Sequence, residues 1–185
     1  MMATDTVGGD DANESTAGQL FYGKYRGVVI NNLDPMQILR VQVIVPDVSS
    51  FLPTSWAMPC IPTGGLQHGL FAIPIIGAGV WVEFEQGDPD YPIWTGCFYG
   101  SAAEVPVLSH LAPPAVPAIV MQTALQNGLI ISDTPGPTGG IMLKSATGAT
   151  LIVNDTGIYI QNGKGASMTM IGPTVTINAG ALTVI

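Results

Sequence analysis

Basic charge is almost missing from this chain: Lys and Arg supply five of 185 residues against thirteen Asp and Glu, for a formal net charge of −8. A surface of that sign repels phosphate backbones, so nucleic acid is not the expected partner. Long apolar runs are missing too. No stretch approaches the roughly 20 residues that carry a helix across a bilayer. The N-terminus lacks a basic segment followed by an apolar block, so no signal peptide is expected and synthesis in the cytoplasm is. Cys60 and Cys97, the two cysteines, fit no CxxC or CxxH spacing and read as buried free thiols, their pairing left open. His68 and His110 sit in loop-like contexts without a second ligand at metal-binding spacing, so no metal site is expected. The chain also lacks GxSxG, HExxH, a P-loop and a dinucleotide fingerprint, so neither catalytic residues nor a cofactor are expected.

What is present is glycine, 23 residues, proline, 15, and 47% hydrophobic residues with only 10% charged, a balance that suits short strands and many turns. The last third shows this most clearly. Apolar residues alternate at Ile141 and Leu143, Leu151 and Val153, Ile158 and Ile160, Met168 and Met170, Val175 and Ile177, Leu182 and Val184. Gly, Asn, Ser, Thr and Asp lie between these pairs, so the strands must be short and the chain must reverse often. The near-regular spacing predicts a β-solenoid or an interwoven β-prism. One copy offers too few large side chains to offset its own backbone ordering, about 1–2 kcal/mol per residue. Partner copies around a common axis are expected to complete it, with those twelve residues as the shared core.

Ahead of this ladder the chain divides by composition. Residues 1–18 carry Asp5, Asp10, Asp11 and Glu14 and no basic residue, and read as a disordered acidic leader. Residues 19–100 alternate as strands. Tyr22 to Asn31 and Gln37 to Val45 form a hairpin across Asn32-Leu33-Asp34-Pro35, with the charge of Arg40 at the solvent face or paired with a later carboxylate. Phe51 to Pro62, broken by three prolines, suits an edge. Val80, Val82 and Phe84 form one apolar face of a strand that turns at Gln86-Gly87-Asp88-Pro89 and returns over Ile93 to Phe98. Strands of this kind with long loops predict a small barrel of the OB type. Residues 101–127 hold Pro106, Pro113, Pro114 and Pro117 and read as an extended linker, and residues 128–185 as the ladder, starting with Gly128 to Ser132.

Tyr25-Arg26-Gly27-Val28-Val29, Asp34-Pro35 followed by Arg40-Val41-Gln42-Val43-Ile44-Val45-Pro46, Trp56 to Pro62, and Gly79 to Gly96 occur in that order. Together they resemble the OB domain of the central spike proteins of contractile phage tails and related injection systems, the baseplate protein V and VgrG group, over Leu20 to Gly100. The residues carrying the resemblance are Tyr25, Arg26, Gly27, Arg40, Trp81, Phe84, Gly87, Asp88, Pro89, Pro92 and Gly96. It implies an all-β chain with an OB barrel ahead of a trimeric β-helix or β-prism. It also implies a homotrimeric needle that docks on a baseplate hub or tube protein, helps pierce a target envelope and meets the target membrane only then. A PAAR-type tip protein is expected on Leu182, Val184 and Ile185. No fused lysozyme or toxin domain of the kind known in the family is expected after the ladder.

Two other functions compete. Glu83, Glu85, Asp88 and Asp90 place four carboxylates within eight residues, but hydrolysis needs two facing groups with one pKa raised by burial, and an EF-hand needs further ligands. On a strand face and an open turn these groups should stay solvated and ionised. The rival from another class is an OB-fold binder of single-stranded nucleic acid, which needs a basic groove with stacking aromatics. Lys24 and Arg26 beside Tyr22 and Tyr25 are the one such cluster, and the acidic turn opposes it.

Overall fold

Alternation of inward and outward residues builds the first sheet. The structure is a computed structural model that describes residues 18–184; the expected leader lies outside the described residues save for Gly18, and Ile185 also lies outside them. The chain divides into two units between Gly100 and Ser101. In the first, the strands are β1 (Tyr25–Asn31), β2 (Gln42–Ile44), β3 (Met58–Pro59), β4 (Gly64–Gly65), β5 (His68–Gly69), β6 (Gly79–Phe84) and β7 (Pro92–Phe98). Five of them form one sheet in the order β2-β1-β6-β7-β3, and β4 pairs with β5 as a separate ribbon. The hairpin of β1 and β2 is antiparallel, as its turn predicts, and β3 lies at an edge as its prolines require.

The sheet curls until its margins meet. Isolated bridges between Val41 and Ala57 and between Ile44 and Pro53 tie the β2 side to the segment around β3. A bulge helps the curl: Trp81 lies opposite Gly96 but Val82 opposite Trp94, leaving Thr95 as the extra residue. Val29, Val41, Val43, Val45, Val80 and Val82 are fully enclosed, with Phe21, Phe84 and Trp94 around them. Trp94 carries a polar atom into this interior and satisfies it, since Nε1–H donates to the carbonyl of Leu39 at 2.9 Å.

The second unit is one sheet of eight strands: β8 (Ala118–Gln122), β9 (Gly128–Ser132), β10 (Gly140–Lys144), β11 (Thr150–Asn154), β12 (Gly157–Gln161), β13 (Ser167–Ile171), β14 (Thr174–Ile177) and β15 (Leu182–Val184). Each pairs antiparallel with the next in sequence. Such a meander removes the single-chain solenoid, whose rungs would run parallel, and leaves the prism geometry.

Three expectations need correction. The ladder starts at Ala118 rather than Gly128, because Ala118 to Gln122 directly follows Pro117 and is free to pair with β9. Residues 101–117 are not simply extended: they hold 3-10 turns at Ala102–Glu104 and Val107–Leu111, with Leu108 buried. Cys60 and Cys97 are free but exposed: Cys60 lies just past β3, where its N–H donates to the Trp94 carbonyl at 2.9 Å, and Cys97 lies near the end of β7 opposite Val80, past the bulge at Thr95.

Candidate functional site

In an antiparallel sheet, residues directly opposite one another project from the same face. Across the ladder Ile119 lies opposite Ile131 and Met121 opposite Leu129. Ile131 and Leu129 lie opposite Ile141 and Leu143, and these lie opposite Val153 and Leu151. The rows continue through Ile158 and Ile160, then Met170 and Met168, then Val175 and Ile177, to Leu182. Every expected ladder position up to Leu182 therefore falls on one face. For Val184 only the backbone register, opposite Val175, is described, and Ile185 lies outside the described residues.

Within one chain this face is open. Ile119 is 60% exposed, Met121 54%, Leu143 47% and Leu182 54%. A monomeric soluble protein rarely leaves so continuous an apolar strip in water. The opposite face differs along its length. It begins with Val120, Ile130, Met142 and Ile152, where Ile130 and Leu108 are buried and Leu111 and the segment from Pro137 to Gly140 close over a small apolar cavity. It continues with Tyr159, Thr169 and Thr176, a surface suited to water. Sequence reasoning missed Ile119 and Met121, and it read Gly128 to Ser132 as a ladder strand without naming Leu129 and Ile131 as part of the apolar face. The alternation of Ile119 and Met121 was present but hidden behind the proline-rich stretch.

In the barrel, most motif residues have structural work. Gly87 has φ of +85°, and a side chain there would meet Tyr22 and Leu20 at 3.0–3.1 Å, while its carbonyl accepts the N–H of Phe21 at 2.7 Å. Tyr25 packs edge-on against Phe21 and tilted against Phe84, and Pro92 is fully buried. Asp88 closes its own turn, with Oδ1 accepting the Asp90 N–H at 3.0 Å, beside Pro89. Gly27 lies where a Cβ would press on Val82 at 3.0 Å.

The basic cluster is consumed locally. Arg26 lies over the rings of Trp81 and Phe98 at 5.4 and 5.3 Å. Lys24 pairs with Glu83 at 2.9 Å and donates to Thr95 at 3.0 Å. Neither cation faces an open groove with free aromatic rings, so single-strand binding is not favoured. Glu85 and Asp90 are exposed, and Glu83 and Asp88 are half-buried in the pairings just described. Among the described residues no group of three or more His, Cys, Asp and Glu is arranged to hold a metal.

Arg40 requires a correction: its partner lies upstream, not among the later carboxylates. Asp34 is buried and its Oδ1 accepts from Arg40 Nη2 at 2.6 Å and Nε at 3.0 Å. Its carboxylate also accepts the backbone N–H groups of Met36, Ile38 and Arg40. The hydrogen bonds from Arg40, followed by the backbone donors and against the opposing effect of burial, hold the Asp34 carboxyl well below the usual carboxylate range. The folded-state pKa thus lies below the unfolded value of about 3.9. The stabilisation is complete above that value and drains away as pH falls from about 4 toward the folded-state pKa. Calorimetry is expected to show the barrel's melting midpoint dropping below about pH 4, and Asp34→Asn lowering the midpoint at pH 7 while removing that part of the acid dependence. All three tryptophans, Trp56, Trp81 and Trp94, lie in the barrel unit, so their fluorescence follows this transition separately from the ladder.

Comparison with known proteins agrees with both halves. The family model for the type VI secretion system/phage-baseplate injector OB domain matches residues 25–99, and that for the phage baseplate V C-terminal trimerisation domain matches residues 118–183. The type VI secretion system spike protein VgrG5 of Pseudomonas aeruginosa is 45% identical over 51 residues, and VgrG4b of the same organism 39% over 51 residues. Each alignment covers 28% of this chain and 6% of the relative's length. No helix among the described residues is long and apolar enough to cross a membrane. With an injector OB barrel followed by a sheet that matches a self-association domain and leaves an apolar face uncovered, the chain belongs to the baseplate V and VgrG-like spike proteins of phage tails and type VI secretion machinery.

Proposed function

We propose that three copies of this chain close their ladders around one axis into a stiff needle, and that the needle transmits the force of a contracting sheath to a target envelope. The observation that carries this reading is the uncovered apolar face running from Ile119 to Leu182. Covering the exposed half of each such side chain contributes on the order of 1 kcal/mol. Summed over three copies, this exceeds the roughly 4–15 kcal/mol of rotational and translational freedom lost on each association. The polar part of the opposite face, with Tyr159, Thr169 and Thr176, then faces water. The role is mechanical, not catalytic: strand hydrogen bonds within each sheet and a shared apolar interior bear load together.

Docking of the barrel on a hub or tube protein is supported by further exposed apolar side chains, Leu66 in the turn of the ribbon and Phe71, Ile75 and Ile76 between the ribbon and β6. At the far end, exposed Leu182 supports a PAAR-type cap, since an uncovered needle end is a sticky surface. Assembly would follow synthesis in the cytoplasm, with the membrane met only at puncture. Light scattering on the purified full chain tests the central step. The expected mass is three times the 19.2 kDa of one chain. A well-folded species of single-chain mass, with its ladder amides protected from exchange, would overturn the reading.

A further inference from the structure

Charge in the ladder is sorted to its two margins. Between residues 118 and 184 the charged side chains are Lys144, Lys164, Asp133 and Asp155. Because the strands alternate in direction, successive turns fall on opposite margins. Lys144 ends β10 opposite Thr150, and that marginal row continues through Gln161 and Ser167. Lys164 lies in the turn that closes the row, between Gln161 and Ser167. Asp133 follows Ser132, opposite Gly140, and Asp155 follows Asn154, opposite Gly157; both are turns of the other margin. Both cations therefore share one margin and both acids the other.

None of the four is ion-paired with another described residue, whereas Lys24 pairs with Glu83 and Arg40 with Asp34. Asp133, Asp155 and Lys164 are exposed and Lys144 half-buried. Asp155 uses Oδ2 to accept the Gly136 N–H at 2.9 Å, which leaves Oδ1 free for a partner. The levels also match. With about 4.8 Å between neighbouring strands, Asp133 and Lys144 differ by less than one step along the ladder, and Asp155 and Lys164 by about one. One lateral approach of the two margins brings both pairs within reach of a lysine side chain.

We infer that the margins are complementary contact surfaces between copies of this chain, with Lys144 and Lys164 of one copy facing Asp133 and Asp155 of the next. This rests on the three-copy needle proposed above and adds what sets its geometry. Cyclic symmetry places one margin of each copy against the opposite margin of its neighbour, so every corner joins unlike charges. Two ladders running in opposite directions would instead set lysine against lysine and aspartate against aspartate. The charge sorting therefore selects the same-direction ring and rejects the reversed pairing.

Subunit exchange between isotope-labelled and unlabelled full-length trimers, followed by native mass spectrometry, tests this. The Lys144→Glu/Lys164→Glu and Asp133→Lys/Asp155→Lys variants are expected to exchange at least about tenfold faster than the parent in low salt. The difference should close in about 1 M salt, where exposed charges are screened. The quadruple variant carrying all four changes restores unlike charges at each corner and is expected to exchange at the parent rate. Unchanged exchange in both double variants overturns the inference. So does a quadruple variant no better than the doubles, because the loss would then be local damage. If the parent chain itself has single-chain mass, the needle reading fails first; a trimeric parent indifferent to the swaps removes only the margin pairing.

Discussion

Ile177→Asp is expected to convert the full chain from the three-copy mass proposed above to a species of single-chain mass. Ile177 lies opposite Met168 on one side and Leu182 on the other, within the uncovered apolar face. In a three-copy needle the substitution sets three carboxylates near one axis, each losing several kcal/mol of hydration with no cation to compensate. Light scattering reads the result directly. Thr176→Asp is the control: one residue away, it lies on the opposite face and should leave the assembled mass unchanged. Barrel fluorescence should be the same in both variants. An assembled Ile177→Asp protein would mean that this face does not point to the axis.

Gly140→Val should undo the ladder from within a single copy. Gly140 has φ of +80°, and a Cβ there would run into the backbone carbonyl of Val153 on the neighbouring strand. The left-handed backbone costs a branched residue about 1–2 kcal/mol, and the collision adds about 1–3 kcal/mol more. The pairing of β10 with β11 is where both costs fall, so hydrogen exchange should lose protection from residue 140 to 154 and assembly should weaken with it. Gly65→Ala provides the contrast, since a Cβ at Gly65 meets nothing within 4 Å. Its melting midpoint should match the parent's.

Much of this architecture was legible because period-two patterning survives in both units. Val80, Val82 and Phe84 read as one face and are buried as one. Ile141 through Leu182 read as one column and register onto one face. The failures have physical causes. Proline fixes its own backbone but leaves the residues after it free, so Ala118 to Gln122 paired as a strand although Pro117 had suggested linker. Asp34 looked like turn chemistry in an Asn-Leu-Asp-Pro run. Its carboxylate instead gathers donors from Met36 to Arg40 along a loop in which Gln37 and Leu39 take left-handed backbone, a geometry no spacing announces. Arg26 was read as part of a small basic patch, but its plane is occupied by Trp81 and Phe98, whose proximity depends on the pairing of β6 with β1 and β7.

Strict pairing of each ladder strand with its immediate successors makes length a modular quantity. Removing one hairpin, such as β12 with β13, takes out two strands and returns the chain to the same margin pointing the same way. The ladder shortens by about 10 Å, and its apolar and opposite faces stay in phase. A ladder built on this plan changes its length in fixed steps of one hairpin, without disturbing the strands on either side.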